Sequence, residues 1–427
     1  MVLSLLLAAV FLILNRAAYQ GYFQDDELDN LSWAPLLPAA EYLKIALAPR
    51  FQPNNFRPVG HFYFHAAEGL FDLEFPGYVA TIHALHLFNV WLLWLLARRL
   101  GAPSLAASAA CFFFALHMAL FDNFWKPMYV FDVLCATFCL LSLLWYVRGR
   151  WVLSFAAFWL AYKSKELAVM LPAVLACYEV CFGPGLRKLR WKPLAPFLVM
   201  SLSLGIQGIL LNPNRDNDYT FRFTPTAVGH TSVYYAGRLF LVPYLGFAAP
   251  LAALTRRNPR TWFGLAMMLL FFLPLLFLPG RLFSAYCYVP FIGFAIALTG
   301  IVEAGQPVWP ALFLLLWAPV DLAELRAQRR VTLARDADIR EWVTTAARFA
   351  ATSPAVEAVV FSGAPAGFQR WGAEGTLKYL FHRHDLNVHS MTDPEATELL
   401  HRERTARLTW DPARRKLEIE WAGRRFP

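Results

Sequence analysis

Apolar segments long enough to cross a bilayer recur through the first three quarters of this 427-residue chain, and that recurrence limits its fold more than any single residue does. A spanning helix needs about 20 mainly apolar residues, somewhat fewer where neighbours shelter it. The runs Val2 to Leu14, Tyr78 to Ala97, Ser104 to Phe121, Met128 to Val147, Trp151 to Tyr162, Glu166 to Phe182, Leu194 to Leu211, Thr231 to Leu254, Thr261 to Leu278, Leu282 to Val302 and Val308 to Val320 predict about eleven spans. With 58% hydrophobic and only 16% charged residues, the bilayer is the expected solvent. The first run is short and has no basic n-region, so it reads as a signal anchor, a start-trimmed span or a cleaved signal peptide. In each case the next segment begins outside.

The basic residues orient this stack. Arg98 and Arg99, Arg148 and Arg150, Arg187, Lys188, Arg190 and Lys192, and Arg256, Arg257 and Arg260 fall on one side, which the positive-inside rule makes the cytoplasm. This topology accounts for the net charge of +9; no basic face interleaved with exposed aromatics points to nucleic acid. The loop from Tyr19 to Gly77, the turn Asp122 to Lys126, the junction Lys163 to Lys165, the loop Asn212 to His230 and the chain after Asp321 are then outside, facing the periplasm of an inner-membrane protein. All six cysteines (Cys111, Cys135, Cys139, Cys177, Cys181, Cys287) lie in apolar stretches and read as small buried hydrophobes.

Within the first outer loop, Ala40 to Leu47 and His61 to Leu73 have mixed faces suited to helices lying on the membrane surface. The chain changes character after about residue 322. Asp338 to Ala351 reads as a helix, Ala355 to Phe361 as a buried strand, and Arg407 to Trp410 with Lys416 to Trp421 as a hairpin around Asp411-Pro412. The expected architecture is an α-helical polytopic membrane domain, residues 1–322, followed by a small extracytoplasmic α/β domain, residues 323–427.

Chemistry gathers on the outer side. Tyr22-Phe-Gln-Asp-Asp-Glu-Leu-Asp-Asn30 sets Asp25, Asp26, Glu27 and Asp29 at the water–membrane boundary, where adjacent carboxylates act as a base, recruit a cation, or simply cap a helix. In Asn54-Asn-Phe-Arg-Pro-Val-Gly60 the proline holds Arg57 extended, and its guanidinium suits either bidentate phosphate contact or snorkelling. Lys165 and Glu166 interrupt two short apolar runs, Asp122 and Lys126 share a turn, and Arg281 with Tyr286 opens a later span. His83, His86 and His117 read as hydrogen-bonded to neighbours rather than metal-bound. No P-loop, Gly-x-Ser-x-Gly elbow or metal motif is present; Gly183-Pro-Gly185 is a cytoplasmic turn.

Taken in order, Phe23-Gln-Asp-Asp-Glu, Phe56-Arg-Pro, His83-x-x-His-x-x-Asn89, Ala115-Leu-His117, Trp125, Asp132, Ser164-Lys-Glu166 and Tyr286-x-Tyr-Val-Pro290 resemble the GT-C superfamily of polyprenyl-phosphate-dependent glycosyltransferases. The resemblance, over roughly Gln20 to Gly300, is to bacterial membrane relatives of the protein O-mannosyltransferases, including the membrane half of the TPR-bearing ones. It implies an inverting glycosyltransferase that moves a sugar from a polyprenyl-phosphate donor to a hydroxyl on a protein, lipid or glycan acceptor. It further implies Asp26, with Asp25 second, as the base. Asp122 would support the site or a divalent cation such as Mg or Mn, and Arg57, Lys165, Glu166, Arg281 and Tyr286 would surround the donor. Two features depart from the pattern. Ser284 and Ala285 stand where relatives often carry a Glu-Arg pair, with Arg281 a turn upstream, and the tail has no TPR repeats. Two other classes use some of the same residues: a transporter or flippase for a lipid-linked sugar, and a non-catalytic scaffold. Transporters place charge near the midplane in repeated halves, whereas here it gathers in outer loops.

Overall fold

The computed structural model describes residues 2–52, 55–183, 190–211, 213–251, 258–304 and 308–426; Asn54, Pro184, Gly185, Arg187, Lys188, Arg256 and Arg257, singled out above, lie outside them. Among the described residues five helical segments are long and apolar enough to cross a membrane: Phe75–Arg99, Pro127–Val147, Trp191–Leu210, Pro259–Phe277 and Ser284–Glu303. Two bent pairs, Leu5–Gln20 with Asp25–Leu36 and Ser104–Leu116 with Met118–Trp125, raise the number to at most seven. Of the remaining expected spans, those at Trp151 to Tyr162, Glu166 to Phe182 and Thr231 to Leu254 are shorter or broken where described, whereas Val308 to Val320 begins a longer helix. Helix α1 (Val2–Asn15) stops at Asn15, whose amide turns back to the Phe11 carbonyl and accepts from the Trp125 indole. The segment Trp151–Ser164 ends at extended Lys165 and resumes as the 3-10 turn Glu166–Met170 and the helix Leu171–Phe182. Breaks of this kind are tolerated at membrane depth where protein rather than lipid surrounds the freed backbone.

The last span, Ser284–Glu303, is the central one, with 78% of its apolar window buried, whereas Trp191–Leu210, at 22%, faces outward to lipid. The Pro259–Phe272 and Tyr288–Ala304 helices meet backbone to backbone. A Cβ added to Gly264 would overlap Ala297 and the Gly293 carbonyl, so small residues set the approach as in membrane helix pairs generally. The ordered histidines of the sequence pattern hold this centre together. The Asn89 amide donates to the Tyr288 hydroxyl, which lies 2.7 Å from His86 Nδ1, while His86 Nε2 donates to the Ala115 carbonyl. His83 lies between the Tyr19 hydroxyl and the Phe124 carbonyl, and His117 donates to the Leu239 carbonyl. All six cysteines are free thiols.

Beyond α1, α2 (Asp25–Trp33) turns 74° away from it, and α3 (Ala39–Leu47) and α4 (Pro58–Phe71) follow as amphipathic helices. From Val308 to Thr352 one helix of 45 residues, roughly 68 Å at 1.5 Å per residue, runs through residue 322, so the division expected there falls inside a continuous element. Its Asp321 carboxylate accepts the Met118 N–H at 2.8 Å, and its Asp336 accepts the Tyr22 N–H and the Gln24 amide. Beyond it lies a five-stranded sheet ordered β2-β1-β3-β4-β5. Strand β1 (Ala358–Ser362) is parallel to β2 (Asn387–Ser390) and β3 (Thr405–Asp411). The predicted hairpin pairs β3 with β4 (Lys416–Trp421), and β5 (Arg424–Phe426) forms the edge.

Candidate active site

The acidic segment begins with a reciprocal cap. The Gln24 side chain takes an amide of the first turn of α2 while the Glu27 carboxylate accepts the Gln24 N–H at 3.1 Å. Glu27 also accepts the Met128 N–H at 3.0 Å and is buried, so it fastens α2 to the start of the Pro127–Val147 span. Asp25, Asp26 and Asp29 remain on the cavity side, with Asp26 exposed. Burial lifts the Asp25 carboxyl to about 6, against the pull of the Gln369 N–H, with Asp26 adding to the rise. Asp29 is raised by burial first and by Asp26 second. Desolvation and like charge thus act together on this cluster.

These carboxylates line a cavity of about 920 Å³ whose other walls carry cations. Lys165, buried, reaches both oxygens of Asp132 at 2.5 and 2.6 Å and lies 4.1 Å from the centre of the Tyr286 ring. Arg57 contacts both oxygens of Glu166 at 3.0 Å, and its backbone N–H goes to His61. Arg281 donates to the Tyr286 hydroxyl at 2.9 Å and lies over the rings of Tyr219 and Phe283, while its Nε is buried with no partner among the described residues. The 3-10 turn Ser284–Cys287 brings Tyr286 round to Arg281, so the upstream arginine reaches the site without a Glu-Arg pair.

A second, apolar groove of about 380 Å³ opens beside the first, walled by Leu204, Ile209, Phe221, Phe223, Leu275 and Phe277 among others. The two share Arg57, Lys165, Arg281, Tyr219 and Tyr286. One end of the combined site is acidic, the other is greasy, and the cations stand between them.

Of the residues chosen from sequence, Asp25, Asp26, Arg57, Lys165, Arg281 and Tyr286 come together in the polar cavity. Glu166 lines only the groove, as the partner of Arg57. Asp122 lines neither cavity; it holds Lys126 at 2.7 Å, and Lys126 faces the cavity instead. Among the described residues there is no group of three or more His, Cys, Asp or Glu side chains that could hold a metal ion. Sequence reasoning missed Trp371 and Gln369, which belong to the tail yet touch Asp26 and Asp25, and Tyr219, in the loop before the helix Pro225–Phe240. Nothing local marks the two tail residues, because their partners are more than 340 positions away.

No family model matches the chain, and no curated protein does. Among solved structures it is similar to ArnT from Cupriavidus metallidurans bound to undecaprenyl phosphate, with a TM-score of 0.52 and 13% identity over 96% of this chain and 93% of that one. ArnT is a GT-C glycosyltransferase, and the likeness, spanning membrane part and tail alike, shows that this chain has the GT-C fold.

Proposed function

We propose that this chain, built on the GT-C fold, is an inverting glycosyltransferase that moves a sugar from a polyprenyl-phosphate donor to a hydroxyl acceptor. The observation that carries the reading is the junction of acidic cavity and apolar groove at Arg57, Lys165 and Arg281. A polyprenyl tail fits the groove by hydrophobic burial. Its phosphate would then lie among the cations, where the Arg281 guanidinium lines both cavities and pairs with no carboxylate among the described residues. The sugar would extend toward α2. The undecaprenyl phosphate bound to ArnT, on the same fold, supports this class of donor.

The chemistry follows from the two ends. An acceptor oxygen attacks the anomeric carbon from the side opposite the phosphate, forming the new glycosidic bond as the bond between that carbon and the phosphate oxygen breaks. The electron pair leaves on the phosphate, stabilised by the cations, and the hydroxyl proton passes to Asp26. A phosphate is a good leaving group, so one base suffices. Opposite-face attack inverts the anomeric centre.

Orientation follows from charge. Asp132, in the first turn of the helix Val130–Val147, is at the cavity, and Arg148 follows that helix 16 residues on from Asp132, roughly 24 Å away. Arg99, Arg190 and Arg260 likewise flank spans at the end away from the cavity. The positive-inside rule then puts the site and the tail in the periplasm of an inner-membrane protein. Membranes carrying wild type or Asp26→Asn, given radiolabelled polyprenyl-phosphate sugars, test the proposal. Wild type should label an acceptor and the variant should not; equal labelling by the two would overturn the base. Thiol labelling of a cysteine at position 371 in intact cells tests the orientation, and protection from an impermeant reagent would reverse it.

A further inference from the structure

We propose that Trp371 is a positioning residue of the transfer reaction, holding the Asp26 carboxylate from the tail domain; the proposal rests on the reading of Asp26 as the base. Trp371 begins the helix Arg370–Leu380, and its indole N–H donates to Asp26 Oδ1 at 3.2 Å. Two residues earlier, the Gln369 N–H donates to Asp25 Oδ1 at 2.6 Å. The tail thus meets each of the two candidate bases with one N–H and ties one oxygen of each. In Asp26 this leaves Oδ2 to take the acceptor proton.

The contact is held at a fixed distance. A Cβ on Gly372 would come within 2.7 Å of the Asp25 Cα, and one on Gly375 within 2.8 Å of the Asp29 Cα. Positions three apart share one helix face, so this pair is the surface on which α2 rests. Further along, the Tyr379 hydroxyl donates to Asp72 at 2.6 Å and to Glu68 at 3.2 Å, fixing the same helix to α4. Just before α2, Arg340 donates to the Gln20 and Gly21 carbonyls, and on α2 itself Glu27 accepts the Met128 N–H. A helix clamped on two sides presents its base in one place, and misplacement of a reacting group by even an ångström is costly in rate. The indole ring is half exposed, so its loss of packing is read separately from its loss of the N–H by comparing the two substitutions below.

The test uses the full chain in lipid nanodiscs with a polyprenyl-phosphate sugar and the acceptor labelled in the membrane assay. Trp371→Phe keeps an aromatic ring and removes the N–H; Trp371→Gln keeps an N–H and removes the ring. If the indole positions the base, Trp371→Phe lowers kcat about tenfold with the donor KM unchanged. Trp371→Gln should then retain more of kcat than Trp371→Phe, with Arg414→Ala, on the tail surface, at the wild-type rate. Wild-type kcat in Trp371→Phe, or a loss in Trp371→Gln equal to or greater than in Trp371→Phe, overturns the proposal. Thermal midpoints measured on the same samples assign to unfolding any loss that tracks them, and such tracking also counts against it. Turnover in Asp26→Asn would sink the base assignment itself. An inactive Asp26→Asn beside a fully active Trp371→Phe sinks the positioning role alone.

Discussion

On the acidic wall of the cavity Asp25, Asp26 and Asp29 face the open space with like-charged neighbours, whereas on the cationic wall Lys165 and Arg57 each already hold a carboxylate. The fold itself neutralises two of the cations, through Asp132 and Glu166. Arg281 differs: among the described residues its partners are a phenol and two aromatic faces, and its charge meets no carboxylate. The contrast divides labour. On the function proposed above, Lys165 and Arg57 shape the junction and Arg281 is the cation that meets an incoming phosphate, across the cavity from acids that no described cation pairs with.

The largest effect tests the acidic wall. Asp26→Asn keeps size and the indole hydrogen bond but cannot take a proton, so transfer should fall about 10³-fold, the middle of the range for removing a general base. Unchanged donor binding and thermal midpoint would show that only chemistry was lost. A fall of less than tenfold would mean that Asp25, or another group, does the work.

On the cationic wall the two kinds of cation should fail differently. Lys165→Met leaves Asp132 buried without its ion pair, which costs about 3–5 kcal/mol of stability, and the double change with Asp132→Leu should recover most of it. Thermal denaturation in detergent reads both. Arg281→Ala strands no carboxylate, so its thermal midpoint should stay near that of wild type while kcat/KM for the lipid donor drops about 100-fold. If Arg281→Ala unfolds the protein, or Lys165→Met costs activity with no stability, the division between shaping and binding cations is wrong.

Much of this site was legible because its components stand at the ends of apolar runs. Asp25, Asp26, Arg57, Lys165, Arg281 and Tyr286 each sit beside an apolar run, and residue chemistry at a span end narrows the choices. The same reading could not separate site from scaffold within the ordered pattern. Glu27 became a cap, while His83, His86, Asn89 and Tyr288 became the bolts of the central helices, because burial decides between those roles and burial is a tertiary property. The continuity of the spans was hard to read for a related reason. Apolar composition marks membrane depth, yet Lys165 and His117 end helices partway, where buried side chains take over the freed backbone. The tail was read as a separate domain from its charge content, but the helix Val308–Thr352 has no break at residue 322, and Gly372 and Gly375 give no local hint that α2 rests on them.

The smallest expected effect probes the one acid that the fold has taken for itself. Burial lifts the Glu27 carboxyl from about 4.5 to about 7, against the Met128 N–H, with Asp26 adding to the rise and Lys126 opposing it. Its folded value is above its unfolded one, so the stabilisation linked to its proton is complete below about pH 4.5 and is lost as pH rises toward 7. Asp25 and Asp29 shift in the same direction, so these two also weaken the fold as they ionise. In Glu27→Gln the amide oxygen still accepts one of the two backbone N–H groups and carries no charge to desolvate. The variant should therefore match wild type near pH 4.5 and lose less of its thermal midpoint on going to pH 8, a difference of a few degrees in parallel melts. A slope as steep as that of wild type would assign the pH dependence to Asp25 and Asp29, and would make Glu27 a cap whose charge the surrounding amides already satisfy.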